Sequence, residues 1–239
     1  MVALFFVAAF LAEVIGTVAG FGSSTILLPV AVLFFDFKTA LVLVAFMHIF
    51  GNIGRITFFK HGFDKRIILF FGLPSVALTL VGALLVLAID QTVLKGLLGV
   101  FLVGYAAYAL LRSKIKMPEN LFTLALGGAS SGFLAGLIGT GGVLRGAFLN
   151  AFDVPKTTYI ASAAAVSLAV DLTRIPIYLS GGFLQQQFYW FVPLLFVLAI
   201  AGSFVGKKIV DKIPQEKFKR VVLVAIAAVG AVLVFDWLK

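Results

Sequence analysis

The chain has 239 residues, 62% of them hydrophobic and only 12% charged, with a mean hydropathy of +1.15 and a formal net charge of +9. Soluble domains carry about 45–50% apolar residues, so this composition excludes a water-soluble globule and points to an all-α integral membrane protein with no soluble appendage. The positive balance does not mark a nucleic-acid binder, because the Lys and Arg residues fall in short loops between apolar runs, the arrangement that orients a chain in a bilayer.

No cysteine is present, which removes disulfides, a thiolate nucleophile and cysteine metal sites. The first basic residue is Lys38, so the apolar start lacks the charged leader of a cleavable signal peptide. Residues 1–20 are therefore expected in the mature protein.

Apolar segments are predicted at 2–18, 23–35, 39–59, 67–89 and 93–111, then at 121–138, 143–152, 157–178, 188–206 and 217–235. A full crossing takes about 20 residues, so 23–35 and 143–152 are too short to span alone. Each follows a glycine cluster: Gly16, Gly20 and Gly22 before Ser23-Ser24, and Gly132, Gly136 and Gly139 before Thr140-Gly141-Gly142. Glycine costs about 1 kcal/mol against alanine inside a helix, so the clusters read as helix stops. Each short segment then folds back on its predecessor as a broken-helix hairpin. Broken helices at corresponding places in two repeats point to a transporter's binding site. The lone glycines Gly82, Gly96 and Gly99 read instead as points of close helix packing.

The chain divides into a first membrane repeat, 1–111, a basic linker, 112–120, and a second membrane repeat, 121–239. Gly22 matches Gly139 and Asp36 matches Asp153 at an offset of 117; Asn52 matches Asp171, Arg55 matches Arg174 and Pro74 matches Pro193 at 119. Loops 60–66 (Lys60, Lys65, Arg66), 112–116 (Arg112, Lys114, Lys116) and 207–220 (Lys207, Lys208, Lys212, Lys217, Lys219, Arg220) are basic, whereas 180–187 is uncharged. The basic loops belong on the cytoplasmic side and the uncharged loop outside. These placements agree only when each hairpin counts as an even number of crossings. Five segments per half is an odd number, so the expected architecture is an inverted repeat, each half opening with a glycine-broken helical hairpin and both termini external.

Chemistry concentrates in two places. At each hairpin tip the first N–H groups of the new half-helix lack intrahelical acceptors and the helix dipole is positive there. Gly22, Ser23, Ser24 and Thr25 at one tip, and Gly139, Thr140, Gly141 and Gly142 at the other, would together favour an anion that glycine lets approach closely. Tight helix packing is the alternative reading of those glycines.

The second place is the set of ionisable residues inside spans: Glu13, His48, Arg55, Arg145, Asp171 and Arg174. Each costs about 2.5–3.5 kcal/mol at a bilayer centre, so such groups face a cavity or a partner. His48, Asn52 and Arg55 share one helix face at i, i+4 and i+7, and Ser167, Asp171 and Arg174 repeat that stripe. Asp171 and Arg174 also read as a simple i, i+3 clasp. Arg55 has no acid on its own face, which makes it the stronger anion candidate, with snorkelling toward the interface near Lys60 as its alternative. Arg145 reads equally as anion ligand or interface anchor; its repeat mate is Leu28, so the site is asymmetric. Glu13 and His48 are the groups suited to exchange a proton in a coupled cycle. The serines have no nearby His/Asp pair and the histidines lack zinc-ligand spacing, so neither catalysis nor a cofactor or metal is expected.

The two half-repeats, Ala19-Gly20-Phe21-Gly22-Ser23-Ser24 and Ala135-Gly136-Leu137-Ile138-Gly139-Thr140-Gly141-Gly142, together with the chain length and the short basic linker, resemble the sulfite exporter TauE/SafE family of membrane permeases. The resemblance covers essentially the whole chain. It implies transport of sulfur-containing anions such as sulfite or organosulfonates, usually outward, in a prokaryotic plasma membrane. This sequence departs from the family's usual glycine run at the first tip, where Ser23, Ser24 and Thr25 stand. The expected function is a secondary transporter of a small oxyanion, its partners that anion and the lipid bilayer, with a homo-oligomer left open. A passive anion channel, or an uptake permease for another small organic anion, is the alternative.

Overall fold

A computed structural model of the protein describes residues 2–20, 22–59, 62–111, 118, 120–149, 152, 155–210 and 215–238, with the backbone alone at 156, 215–222, 225 and 226. Lys60, most of the linker 112–120, Asp153, Lys212 and the side chains of Lys217, Lys219 and Arg220 lie outside the described residues.

Among the described residues ten α-helices follow in order: α1 Val2–Ala19, α2 Ser24–Ala31, α3 Phe37–Phe58, α4 Leu73–Ala88, α5 Gln91–Leu111, α6 Leu121–Ile138, α7 Gly142–Leu149, α8 Lys156–Ser180, α9 Phe191–Ile209 and α10 Gln215–Trp237. A π-helical turn, Ile67–Gly72, leads into α4 and makes one 22-residue span with it. It lies just before Pro74, whose missing N–H breaks the regular i→i−4 ladder. Seven described helical spans are long and apolar enough to cross a membrane, while α2 and α7 have only 8 residues each. Both breaks fall where the glycine clusters predict, and Gly20, Gly22 and Gly139 adopt the left-handed backbone at φ 78°, 90° and 73°. Several boundaries differ by a few residues from expectation: the segment predicted at 23–35 is helical only to Ala31, after which the chain turns toward α3, and those predicted at 143–152 and 188–206 are helical at Gly142–Leu149 and Phe191–Ile209.

Short polar side chains define several of the helix starts. Asp36 accepts from Thr39 N at 3.1 Å, Asp64 from Arg66 N at 2.8 Å, Asp90 from Thr92 N at 2.7 Å and Asn120 from Thr123 N at 2.8 Å. Such caps satisfy N–H groups that a helix cannot serve itself. The Thr92 N–H holds the exposed Asp90 carboxyl below its ordinary range.

Small residues set the tightest packing, as expected where lipid gives no hydrophobic drive between helices. On α6, Gly128, Gly132 and Gly136 lie directly on the backbone at Phe71, Ser75 and Thr79. Ser75 Oγ and Thr79 Oγ1 donate across that seam to Gly128 O and Gly132 O, both at 2.9 Å. Gly82 sits in the same seam, and Gly96 and Gly99 of α5 meet Trp237 and Gly230 of α10, so all three lone glycines are packing glycines. Gly202 and Gly206 let α9 lie against Glu13 and Thr17 of α1.

The packing exchanges between the halves: α1 lies on α9 as α6 lies on α4, α3 touches α9 as α8 touches α4, and α3 and α8 face each other at the centre. Polarity is arranged inside out. Leu4, Leu73, Phe122 and Phe196 are exposed, whereas Glu13, Asn52, Asp171 and Arg174 are all 1% exposed or less. An apolar rim around a charged interior suits lipid and not water.

Candidate functional site between the hairpin tips

The two hairpins meet at their tips. Thr25 of α2 and Thr140, just ahead of α7, place their hydroxyl oxygens 2.8 Å apart across 115 residues of sequence. The side chains of Leu28 and Leu41 close over Gly139, which ends α6 in the left-handed conformation that suits glycine. At the start of α7 the first intrahelical bond is Arg145 N to Gly141 O. The N–H groups of Gly142, Val143 and Leu144 precede it and have no intrahelical acceptor. Ser131 Oγ donates to Gly141 O at 2.7 Å and holds this turn against α6. Ser23 and Ser24 open α2, both buried, and Ser23 Oγ has no hydrogen-bond partner among the described residues.

Behind the tips runs one continuous polar network. Arg55 donates to Glu13 Oε1 at 2.7 Å, to Thr17 Oγ1 at 3.2 Å and to Asn52 Oδ1 at 2.6 Å. Glu13 Oε1 also accepts from Ser203 at 2.8 Å and from Thr17 at 3.3 Å. Asn52 Nδ2 passes the network to the second half by donating to Asp171 Oδ2 at 3.0 Å. Asp171 is shared further: His48 Nδ1 lies 2.9 Å from Oδ2, and Arg174 approaches Oδ1 at 2.8 Å. The free arm of Arg174 donates to Ala135 O and Gly139 O, the last carbonyls of α6, and Tyr178 donates to Gly136 O beside them.

The two repeat-matched arginines thus do matching work. Arg174 fastens α8 to the end of α6, and Arg55 fastens α3 to the end of α1, each at the helix preceding a break. The acid that Arg55 lacks on its own face comes from α1. The partner is Glu13, a pairing that spans 42 residues. Buried charges of this kind require partners, and removing one member of such a pair costs about 3–5 kcal/mol.

Arg145 is different. It is 4% exposed and makes no hydrogen bond or ion pair with any of the described residues. It lines a narrow cleft walled by Gly20 and Gly22 of the first tip, Arg55, Arg145 and the strip of α8 from Ile160 to Ser167, with a free volume of about 10 Å³. That is room for about one water, so the tips are packed closed and an anion enters only as they part. Among the described residues, two carboxylates, Glu13 and Asp171, face three guanidiniums, Arg55, Arg145 and Arg174. One positive charge of that set remains uncompensated, and it stands at the cleft.

Tyr159, Ser203 and Tyr178 belong to this assembly without a sequence signal of their own. Tyr159 donates to Gly20 O at 3.1 Å, tying α8 to the first tip. Among the described residues no group of three His, Cys, Asp or Glu side chains is arranged to hold a metal ion.

A multi-helix bundle of membrane-spanning lengths, with two broken helices meeting over a buried cationic cleft, defines a polytopic membrane protein of the transporter kind. The family model for the sulfite exporter TauE/SafE matches residues 5–233, and the chain belongs to that family. It is 26% identical to a probable membrane transporter protein of Methanocaldococcus jannaschii, over 95% of this chain and 92% of that one. No solved structure matches.

Proposed function

We propose that this membrane permease is a secondary transporter, in the export direction, for a small sulfur-containing oxyanion such as sulfite or an organosulfonate, bound between the two hairpin tips. The observation that carries the reading is Arg145: a buried guanidinium without a carboxylate partner among the described residues, at a cleft a few residues from a half-helix start. A guanidinium offers planar paired donors suited to an oxyanion. The N–H groups ahead of Arg145, which have no intrahelical acceptor, and the hydroxyl of Ser23 add further donors.

In this reading Arg55 and Arg174 hold the walls, and Arg145 neutralises the guest. The repeats 1–111 and 121–239 are inverted about the α3–α8 contact, with 112–120 cytoplasmic, and the chain resides in a prokaryotic plasma membrane. Access alternates as one repeat-derived unit rocks against the other, which breaks the Thr25–Thr140 and Tyr159–Gly20 contacts. The chain acts as a carrier and not as an enzyme.

Purified protein in liposomes is expected to take up labelled sulfite, sulfoacetate or sulfate along a saturable curve. The absence of saturable flux for all three counts against the proposal, and voltage-driven current far above carrier turnover replaces it with a channel.

A further inference from the structure

The imidazole of His48 is buried, 3% exposed, and its two nitrogens have opposite fates. Nδ1 is held by Asp171 Oδ2 at 2.9 Å. Asp171 is already fixed as a carboxylate by Arg174 and Asn52, so it accepts, and the Nδ1 position carries the hydrogen. That leaves Nε2 as a bare lone pair with no hydrogen-bond partner among the described residues. It lies against Gly22, close enough that a Cβ built on that glycine would meet Nε2 at 2.6 Å. Gly22 is a wall of the cleft. A basic nitrogen, pre-oriented by a carboxylate behind it, therefore stands one glycine away from the cleft.

The charges acting on this imidazole are Asp171 and Arg174 from α8 and Arg55 from its own helix. From α1, Glu13 faces the far side of Arg55, and Arg145 of α7 stands across the cleft. α2 carries no ionisable side chain, and the residue of α9 that enters the network is the neutral Ser203.

We infer that His48 Nε2 is a proton site loaded together with the anion, and that it decides whether the cleft holds a monoanion or a dianion. The inference rests on the transport reading above. With His48 neutral, the three guanidiniums and two carboxylates leave a single positive charge, which matches a monoanion. When the Nε2 lone pair takes a proton from water, the ring becomes an imidazolium whose Nδ1–H stays on Asp171. The surplus rises to two charges and matches a dianion. After the site reopens, the dianion leaves and Nε2 returns its proton to water on that side. One proton and one dianion thus cross together, and a monoanion crosses without a proton.

Sulfite is unsuitable as a test guest because it binds a proton itself near neutrality. Sulfoacetate keeps both of its charges, and methanesulfonate its one, throughout the histidine range. Both are to be followed in proteoliposomes containing a trapped pH-sensitive dye, with sulfite flux as the reference. For the wild type, sulfoacetate uptake is expected to carry protons inward and to fall about tenfold per pH unit on the alkaline side of the transition, the slope of a one-proton step. Methanesulfonate uptake is expected to move no protons and to stay flat. The substitution H48N keeps an N–H donor near the Nδ1 position for Asp171 and deletes Nε2; it is expected to retain methanesulfonate uptake and to lose sulfoacetate uptake.

Sulfoacetate uptake without protons, the same slope for both sulfonates, or sulfoacetate uptake in H48N that still carries protons each overturn the inference. If H48N carries nothing, the wild-type proton count on the two sulfonates decides. Sulfite flux with neither sulfonate carried overturns the inference and leaves the oxyanion reading standing. No flux of any of the three removes both.

Discussion

Asn52 donates directly to Asp171 at 3.0 Å across 119 residues, and these two positions are the ones that bring the polar stripes of the two halves into register. In an object with a two-fold axis, a residue touches its own mate only at the axis. In the proposed inverted repeat this contact would lie on the axis between α3 and α8, with α1 on α9 and α6 on α4 as exchanged pairs. At this point the apparent symmetry is broken chemically, since an amide faces a carboxylate and a single acid serves Arg174, Asn52 and His48.

Exchanging the two side chains tests this relationship. D171N leaves the Arg174 guanidinium buried without its carboxylate, an expected loss of about 3–5 kcal/mol. The double variant N52D/D171N returns a carboxylate to the adjacent position, beside Arg55 as well, and is expected to recover part of that loss. Thermal unfolding in detergent measures both. A double variant no more stable than D171N would mean that the two positions are not interchangeable.

The three interior arginines are expected to separate into two kinds. R55Q and R174Q each strip a buried acid of its partner, so both should lower the unfolding temperature and the yield of folded protein. R145Q breaks no ion pair among the described residues, so it should fold normally and lose anion affinity at least about tenfold, equivalent to roughly 1.4 kcal/mol. Unfolding temperature and saturable uptake, measured on the same preparations, distinguish the two. Normal anion affinity in R145Q would move the guest away from the cleft.

The contact between the tips lends itself to locking. Thr25 and Thr140 oxygens lie 2.8 Å apart, and the chain has no cysteine of its own. The variant T25C/T140C is expected to form an intramolecular crosslink on mild oxidation and to stop transport, with recovery on reduction. A mobility shift on non-reducing gels and an uptake assay report the two steps. Crosslinked protein at full activity would show that the tips need not part.

Much of this architecture was legible in the sequence because it is written in periodicity and in glycine. Both helix breaks, the two short half-helices and the shared face of His48, Asn52 and Arg55 all follow from spacing along one chain segment. The Asp171–Arg174 clasp was legible for the same reason, as an i, i+3 neighbour. The partners that arrive from other helices were not. Glu13 reads from sequence, with His48, as a proton-exchanging group because no local pattern connects residue 13 with Arg55. Its glycine counterpart Gly202 and the hydroxyl of Ser203 lie about 190 residues away. Tyr159 sits outside every polar stripe, and its bond to Gly20 O depends on how α8 docks against the first tip. The sorting of three arginines into two that are paired and one that is not is likewise a property of tertiary packing.

Glycine at position 22 has two separable duties, and a second glycine isolates one of them. Gly22 has φ +90° and a Cβ there would run into His48 Nε2, whereas Gly62 has φ +101° with no atom within 4 Å of the same position. Placing an L side chain in the left-handed region costs roughly 1–2 kcal/mol. G62A is therefore expected to show that strain alone and to transport normally. G22A adds a collision with an imidazole that Asp171 holds in place, so it should destabilise by more than G62A and also impair uptake. If the two alanine variants lose equal stability and both transport normally, His48 yields freely, and Gly22 is required for the shape of the turn and not for keeping the imidazole next to the cleft.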